Sequence, residues 1–380
     1  MAKQPDSFKG SIMLTAYADV VRETDILPEG ELNPVLMGLY GEVGGIMATA
    51  KKHVREKKAY PGFKRAAEEE FGDTLWYFAA LCRRLSISLD SIFQEVTQGK
   101  DFARACAASD IAAGAVAHVA TPAVANTIDD ALFQLAHAAT VLLSVKGQDA
   151  APRAKLEAFA RCYLDALHVS QLSFADVVRM NIDKTRGAFI VPDRADLPLF
   201  DDQFDEEERI PSDFRIRISQ RKSGRSYLCW NDVFIGDPLT DNIADRDGYR
   251  FHDVFHFAYA AILHWSPVFR ALIKQKRKSK RQYDEEEDGG RAIVVEEGLT
   301  AWIFTRAKEL NYFEGQDRIA FDMLKTIQEF TTGYEVARCP LKLWERAILD
   351  GYGVFRQIRD AEGGWVIGDR NARTISFKPL

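Results

Sequence analysis

Apolar residues recur every three or four positions over most of this chain, and that spacing predicts amphipathic helices. The predicted helices are Ile12–Asp25, a pair within Gly38–Leu89, Asp90–Phe102, a second pair between Ile128 and Leu167, Phe321–Val336 and Trp344–Arg359. A loop rich in lysine and arginine joins the two helices of the first pair. The pattern therefore favours a mostly helical protein.

Two stretches near the middle and the end of the chain alternate apolar and polar residues instead, a pattern typical of strands. The alternating segments are Phe214–Ser219 and Ser226–Trp230 around Lys222–Gly224, and Trp365–Ile367 and Thr374–Phe377 around a Gly368–Asp369 turn. Each stretch predicts a β-hairpin. A small sheet that joins the two hairpins would satisfy both patterns.

Prolines and acids separate the two halves of the chain. Val191–Pro211 holds three prolines and a run of aspartates and glutamates, a composition typical of a solvated linker. We therefore expect one domain at residues 1–190, an acidic linker at 191–211 and a second domain at 212–380. The predicted fold class is an all-α helical bundle followed by a mostly helical domain with small β-hairpins, and the alanine-rich Ala107–Ala125 is interpreted as a linker or packing arm.

Three carboxylates of the first helical pair are the strongest candidates for chemistry. Glu42 lies on the first helix, and Glu70 and Asp73 lie three residues apart on the second, where they share a face with apolar residues. Carboxylates directed at an apolar bundle are costly to bury unless a cation compensates them. Mg²⁺ is such a cation, although Glu-x-x-Asp pairs also occur on ordinary solvated helix faces.

The surroundings of these acids favour a site over a solvated face. Glycines at positions 38, 41, 44 and 45 surround Glu42, although each weakens a helix by about 1 kcal/mol. Such glycines are typical of close helix packing or close approach of a ligand. Lys51 and Lys52 supply positive charge for a polyphosphate, and Trp76 supplies a flat side chain one turn beyond Asp73.

The pattern GLYGEVGG…KK followed by EEFGDTLWYF resembles the MazG-type, all-α nucleoside triphosphate pyrophosphohydrolases. Their signature is Glu-x-x-Glu followed by Glu-x-x-Asp, and Glu42, Glu70 and Asp73 match its first, third and fourth acids. Tyr17 and the Thr24-Asp25 pair also resemble the leading helix of that family. The resemblance implies that the three acids hold Mg²⁺, with Mn²⁺ as an alternative.

Gly45 stands where that family has its second glutamate. One expected metal ligand is therefore missing from the signature. The neighbouring Glu69 is a candidate to replace it, or to act as the general base. The departure also motivates a different class of function, a nucleotide-binding sensor with impaired catalysis.

The second helical pair and the segment after it repeat the order of the first pair without its acids, which suggests a degenerate internal duplication. The segment ends with Asn181, Lys184 and Arg186, which match an Asn-x-x-Lys-x-Arg ending in MazG-like chains. The resemblance implies that these residues contact the triphosphate. Cations at the end of a helix also complement its dipole, which is the simpler interpretation.

The C-terminal half resembles a MazG-associated C-terminal domain. His252 and His256 are four residues apart, a spacing that places both on one helix face and can hold a metal ion. Glu296 and Glu297 follow a basic loop, as the acidic helix does in the N-terminal half. The four residues form a second candidate site, suited to a transition metal. Ordinary buried histidines, a zincin-like HDVFH and a His-Asp phosphohydrolase are the alternatives.

Composition restricts the remaining alternatives. The chain has 380 residues and a net charge of −6, so its overall charge gives no strong indication of nucleic-acid binding. It contains no apolar run long enough to span a bilayer and no signal-peptide core. Its five cysteines have no CxxC spacing. We therefore expect a cytoplasmic protein with reduced thiols. Walker A, GxGxxG and GxSxG motifs are also missing from the sequence.

The resulting hypothesis is a Mg²⁺-dependent enzyme that converts a nucleoside triphosphate and water to the monophosphate and pyrophosphate. Its catalytic residues would be Glu42, Glu69, Glu70 and Asp73, and its substrate-binding residues Lys51, Lys52, Trp76, Asn181, Lys184 and Arg186. Its partner would be the nucleoside triphosphate, and a homodimer is a second possible association. The alternatives are the sensor described above and a phosphohydrolase centred on His252 and His256.

Overall fold

The computed structural model describes residues 14–97, 127–145, 151–241 and 246–380, apart from the side chains of residues 287 and 288. The chain divides into two compact units at Ile190–Val191. We call residues 6–190 the N-terminal unit and residues 191–380 the C-terminal unit. No helix among the described residues is long and apolar enough to cross a membrane.

The regular elements described in the N-terminal unit are all helices, joined by turns and short loops. Its helices are α1 (Leu14–Thr24), α2 (Asn33–Glu56), α3 (Phe63–Arg84), α4 (Leu89–Val96), α5 (Ile128–Leu142), α6 (Pro152–Val169) and α7 (Phe174–Phe189). The helices predicted in this region are present; α4 ends at Val96, and residues 98–102 of that predicted helix lie outside the described residues. The alanine-rich stretch at 107–125 lies outside the described residues.

An aromatic cluster forms the centre of the N-terminal unit. Phe78 of α3 stacks on Phe159 of α6 with 4.9 Å between ring centroids, and Phe93 of α4 meets Phe78 edge to face at 6.2 Å. Tyr163 of α6 donates a hydrogen bond of 2.9 Å to the backbone oxygen of Phe71. These contacts hold α3 in place, and α3 carries most of the candidate acids.

The same turn follows both helical pairs. Ser86 after α3 and Gln171 after α6 each have φ of 56°, in the left-handed region. Two residues further on, Ser88 and Ser173 each accept a hydrogen bond from the third residue beyond, which caps the next helix. This shared turn agrees with the suggested duplication, which remains a hypothesis.

The C-terminal unit combines helices with one antiparallel sheet. Its strands are β1 (Asp213–Gln220), β2 (Ser226–Trp230), β3 (Val233–Leu239), β4 (Gly363–Asp369) and β5 (Thr374–Lys378). Its helices are α8 (Asp253–Ala258), continued by a π-helical turn (Tyr259–Leu263), then α9 (Pro267–Leu272), α10 (Glu287–Glu309), α11 (Phe321–Thr331) and α12 (Leu341–Ala361).

The sheet has the strand order β3-β2-β1-β4-β5. Both predicted hairpins are therefore confirmed, and β1 pairs with β4 so that they form one sheet. The sequence analysis missed β3, which contains Gly236 and Pro238 and is largely exposed. Proline removes a donor and is tolerated at a sheet edge, which is where β3 lies.

Residues 191–211, predicted to be a solvated acidic linker, instead pack within the C-terminal unit. Leu197, Phe200, Phe204 and Ile210 are all less than 9% exposed. The run of acids concealed this apolar spacing, and most of the acids do face solvent. Asp201 is the exception at 2% exposure.

Asp201 joins three parts of the C-terminal unit. Its carboxylate accepts hydrogen bonds from the side chain of Arg270 at 2.5 Å, from the side chain of Arg370 at 2.7 Å and from the backbone N–H of Ile210 at 2.9 Å. Burial alone would raise its pKa, but Arg370 and Arg270 lower it below the usual value. The carboxylate is therefore the shared counter-ion of two buried guanidinium groups.

His264 makes the stability of the C-terminal unit depend on pH. It is 6% exposed, its Nε2 donates to the backbone oxygen of Arg370 at 2.8 Å, and burial together with Arg370 and Arg373 lowers its pKa to about 3. The unfolded chain takes up this proton below about pH 6.5 while the fold stays neutral. The contribution of the neutral His264 to the free energy of unfolding is therefore fully present above pH 6.5, and it is lost as the pH falls towards 3.

We expect His264→Asn to remove this dependence, because asparagine tolerates the left-handed backbone that His264 adopts (φ 61°) and does not titrate. Between pH 7 and pH 5 the wild type should lose about 2 kcal/mol more stability than the variant. Urea unfolding followed by tryptophan fluorescence measures this difference. The control is His137→Asn at an exposed histidine, and parallel pH slopes for His264→Asn and the wild type would contradict the assignment.

Candidate functional site

The antiparallel pairing of α2 and α3 positions the candidate acids. A Cβ atom built at Gly38 would overlap the ring of Tyr77, and one built at Gly45 would overlap the carboxylate of Glu70. Glu42 lies between these two glycines on α2, just as Asp73 lies between Tyr77 and Glu70 on α3. The two glycines therefore allow the helices to approach, so that Glu42 faces the Glu70–Asp73 edge.

Crowding of negative charge changes the ionisation of Glu42. Burial raises its pKa first, and the nearby carboxylates of Asp73 and Glu70 raise it further, to about 7. Lys184 opposes this increase without cancelling it. Electrostatic repulsion therefore couples Glu42 on α2 to Glu70 and Asp73 on α3. These are the three acids that the sequence analysis selected together.

Helix α7 contributes a cation and an amide to the same place. The ammonium of Lys184 forms an ion pair with Glu69 at 2.8 Å and another with Asp73. Burial would lower the pKa of Lys184, but Asp73 and Glu69 raise it above the usual value. Lys184 therefore stays charged and bridges two carboxylates that lie four residues apart on α3.

Asn181 orients Asp73 from the interior. Its Nδ2 donates to Asp73 Oδ1 at 3.1 Å, and its Oδ1 accepts from the hydroxyl of Tyr17 at 2.9 Å. Asn181 is only 2% exposed. The sequence analysis expected it to contact the triphosphate, whereas the structure places it behind Asp73 as a positioning residue.

Of the adjacent aromatic residues Trp76 and Tyr77, Trp76 is buried against Thr24 and Tyr77 lies beside the acids. Trp76, expected at the substrate, is 7% exposed and donates its indole N–H to Thr24 Oγ1 at 2.9 Å. Tyr77 is half-buried against Gly38, and its pKa is raised by burial and then by Glu42 and Asp73. Tyr77 is thus an aromatic side chain beside the acids, and the sequence analysis did not assign it to the site.

The remaining predicted substrate contacts lie further from the acids. Lys51 and Lys52 are exposed in the C-terminal part of α2, about 15 Å along the helix from Glu42 at 1.5 Å per residue. The Lys52 ammonium lies 4.3 Å from the ring centre of Tyr60. Arg186 lies 4.0 Å from the Glu23 carboxylate of α1.

In the C-terminal unit, the predicted histidines and glutamates do come together. The nearest ligand atoms of His252, His256 and Glu297 all lie within 4.8 Å of one another. Glu296 has a different position, because its carboxylate accepts from His256 Nδ1 at 2.8 Å, on the other side of that ring. The four residues predicted as one ligand set are therefore three converging residues and one that orients His256.

A family-model match covers the second half of the chain. Residues 195–380 match the family model described as the MazG C-terminal domain. This match supports a MazG-associated C-terminal domain in the C-terminal unit. This confirms the resemblance predicted for that half, whereas the MazG-type assignment of the N-terminal unit remains a proposal. No curated protein matches the chain, and no solved structure matches it.

Proposed function

We propose that the N-terminal unit is a divalent-cation-dependent nucleoside triphosphate pyrophosphohydrolase, which converts a (d)NTP and water to a (d)NMP and pyrophosphate. The observation that supports this most directly is the close approach of α2 and α3, which places Glu42 beside Glu70 and Asp73; burial and these two carboxylates raise the pKa of Glu42 to about 7. Gly38 and Gly45 allow the two helices to approach. Asn181 orients Asp73, and Lys184 pairs with Asp73 and Glu69.

The donor set suits Mg²⁺. Glu42, Glu70 and Asp73 offer carboxylate oxygens, which are the ligands that this ion prefers, and the signature needs no soft or nitrogen donors. Glu70 lies against Gly45, in the space that a side chain at that position would use. When bound, Mg²⁺ would neutralise phosphate charge and lower the pKa of the attacking water.

The protein groups have separate roles in this proposal. Glu42, Glu70 and Asp73 would hold the cation, while Asn181 fixes the orientation of Asp73. Lys184 would leave its ion pairs with Asp73 and Glu69 to bind a phosphate oxygen, and Glu69 would then be available to accept a proton. The water oxygen would bond to the α-phosphorus as the bond to the α–β bridging oxygen breaks, so that pyrophosphate leaves.

Product analysis with the full-length protein tests the proposal. We expect each competent (d)NTP to yield equal amounts of monophosphate and pyrophosphate when Mg²⁺ is present, and no turnover when EDTA replaces it. Release of orthophosphate and a diphosphate would instead place cleavage at the terminal phosphate and contradict the proposal. A screen across the common nucleotides also identifies the preferred base and sugar.

A second candidate is a nucleotide-binding sensor, and Gly45 favours it. The signature glutamate is missing there, and the Glu70 carboxylate occupies the space beside the glycine. Calorimetry with a non-hydrolysable nucleotide and Mg²⁺ distinguishes the two candidates. Tight binding without pyrophosphate release would indicate a sensor, and activity gained by Gly45→Glu would support that interpretation.

A further inference from the structure

Two histidines and a glutamate of the C-terminal unit direct side-chain nitrogen and oxygen atoms at one another. His252 is the residue immediately before α8, and His256 lies within α8 four residues later. Both side chains therefore project from the same face. Glu297 approaches them from α10. Nε2 of His256 lies 3.5 Å from Glu297 Oε2, and Nε2 of His252 lies 3.8 Å from the same oxygen.

These separations are too long for hydrogen bonds and suitable for shared coordination. Hydrogen bonds from nitrogen to oxygen are about 2.7–3.2 Å long. Two ligands about 2.0–2.2 Å from one tetrahedral ion lie roughly 3.4 Å apart. The simplest alternative is a protonated His256 that bridges Glu296 and Glu297. That arrangement would shorten the 3.5 Å separation, which is not observed.

The other nitrogen of each ring is occupied by an acceptor. His252 Nδ1 lies 2.9 Å from the backbone oxygen of Tyr249, and His256 Nδ1 lies 2.8 Å from Glu296 Oε1. Such contacts fix the orientation of each ring, so that Nε2 faces the centre of the site. The His256 side chain is fully buried, and its Nε2 has no hydrogen-bond partner.

Glu296 is itself held rigidly. Its carboxylate accepts from the Ser266 hydroxyl at 2.6 Å and from the backbone N–H of Val268 at 2.8 Å, in addition to His256. Because neighbouring helix residues project about 100° apart, Glu296 and Glu297 reach opposite sides of the His256 ring. One of these acids orients the histidine, and the other faces its free nitrogen.

We propose that His252, His256 and Glu297 bind a first-row divalent transition-metal ion such as Zn²⁺. Two imidazoles and one carboxylate leave part of the coordination sphere open. The Glu297 side chain is 42% exposed, whereas both histidines are nearly buried, so the open positions face solvent. The arrangement is therefore that of a site that admits water or an anionic ligand, unlike a closed structural site.

Metal content of the full-length protein tests this assignment. The protein is stripped with chelator, incubated with Zn²⁺ or Co²⁺, passed through gel filtration and analysed for metal. We expect about one ion per chain, with visible absorption bands for bound Co²⁺. Metal retention should be lost in His252→Asn and Glu297→Gln, and Glu296→Gln should weaken Zn²⁺ binding about 10–100-fold.

His264→Asn serves as the matched control, because it alters another buried histidine of the same unit and should retain the metal. The experiment is repeated in Asp73→Asn, so that binding at the acidic cluster of the N-terminal unit is counted separately. Absence of retained Zn²⁺ and Co²⁺ in the wild type would overturn the assignment. Retention that survives both His252→Asn and Glu297→Gln would overturn it too.

Discussion

Asp73→Asn is expected to lower kcat for pyrophosphate release by about 100-fold or more. Asp73 is the acid on which the other groups depend, since Asn181 orients one of its oxygens and Lys184 pairs with the other. The amide keeps the size of the side chain and removes the charge that would hold a cation. Steady-state kinetics at saturating Mg²⁺ and nucleotide measure the effect.

Asp176→Asn is the matched control, because Asp176 is an exposed acid of α7 whose partner is Arg179. It should leave kcat within about twofold of the wild type, and both variants should melt within a few degrees of it. Turnover by Asp73→Asn equal to that of the wild type would exclude the acidic cluster as the active site. An equal loss in both variants would point to a general structural effect.

Asp201→Asn is expected to destabilise the C-terminal unit by about 3–5 kcal/mol. The change leaves Arg270 and Arg370 buried without their shared carboxylate, and the new amide would direct a donor at one of the two guanidinium groups. Five of the six tryptophans lie in this unit, so urea unfolding followed by tryptophan fluorescence reports mainly on it.

Asp202→Asn changes the next residue, which is exposed, and should shift stability by no more than about 0.5 kcal/mol. Similar unfolding midpoints for Asp201→Asn and Asp202→Asn would show that the two arginines do not depend on Asp201. The comparison also tests whether residues 191–211 belong to the folded unit, because a solvated linker would tolerate both changes equally.

Periodic features of the sequence predicted much of the fold. Helical spacing located the helices of the N-terminal unit, and alternation located both hairpins of the sheet. Segments with mixed signals were misjudged. The acids of residues 191–211 hid four buried apolar side chains, and the basic loop after α9 hid Arg277, which is 2% exposed and paired with Asp284 and Glu335.

Residue types and spacing predicted the candidate sites, but they did not determine the role of each side chain. Glu70 and Asp73 were selected because their spacing places them on one helix face, and Glu42 joined them because all three match the acids of the MazG-type signature. That Asn181 lies behind Asp73, and Trp76 against Thr24, depends on packing between helices that are distant in sequence. Glu296 and Glu297 likewise look equivalent until the orientation of the His256 ring is known.

A crystal structure with Mg²⁺ and a non-hydrolysable nucleoside triphosphate tests the central claim most directly. We predict an ion bound by oxygens of Glu42, Glu70 and Asp73 and by the phosphates, with Lys184 moved from Asp73 to a phosphate oxygen. Nucleotide and ion bound elsewhere, with the Lys184–Asp73 pair intact and no ion at Glu42, Glu70 or Asp73, would contradict the account.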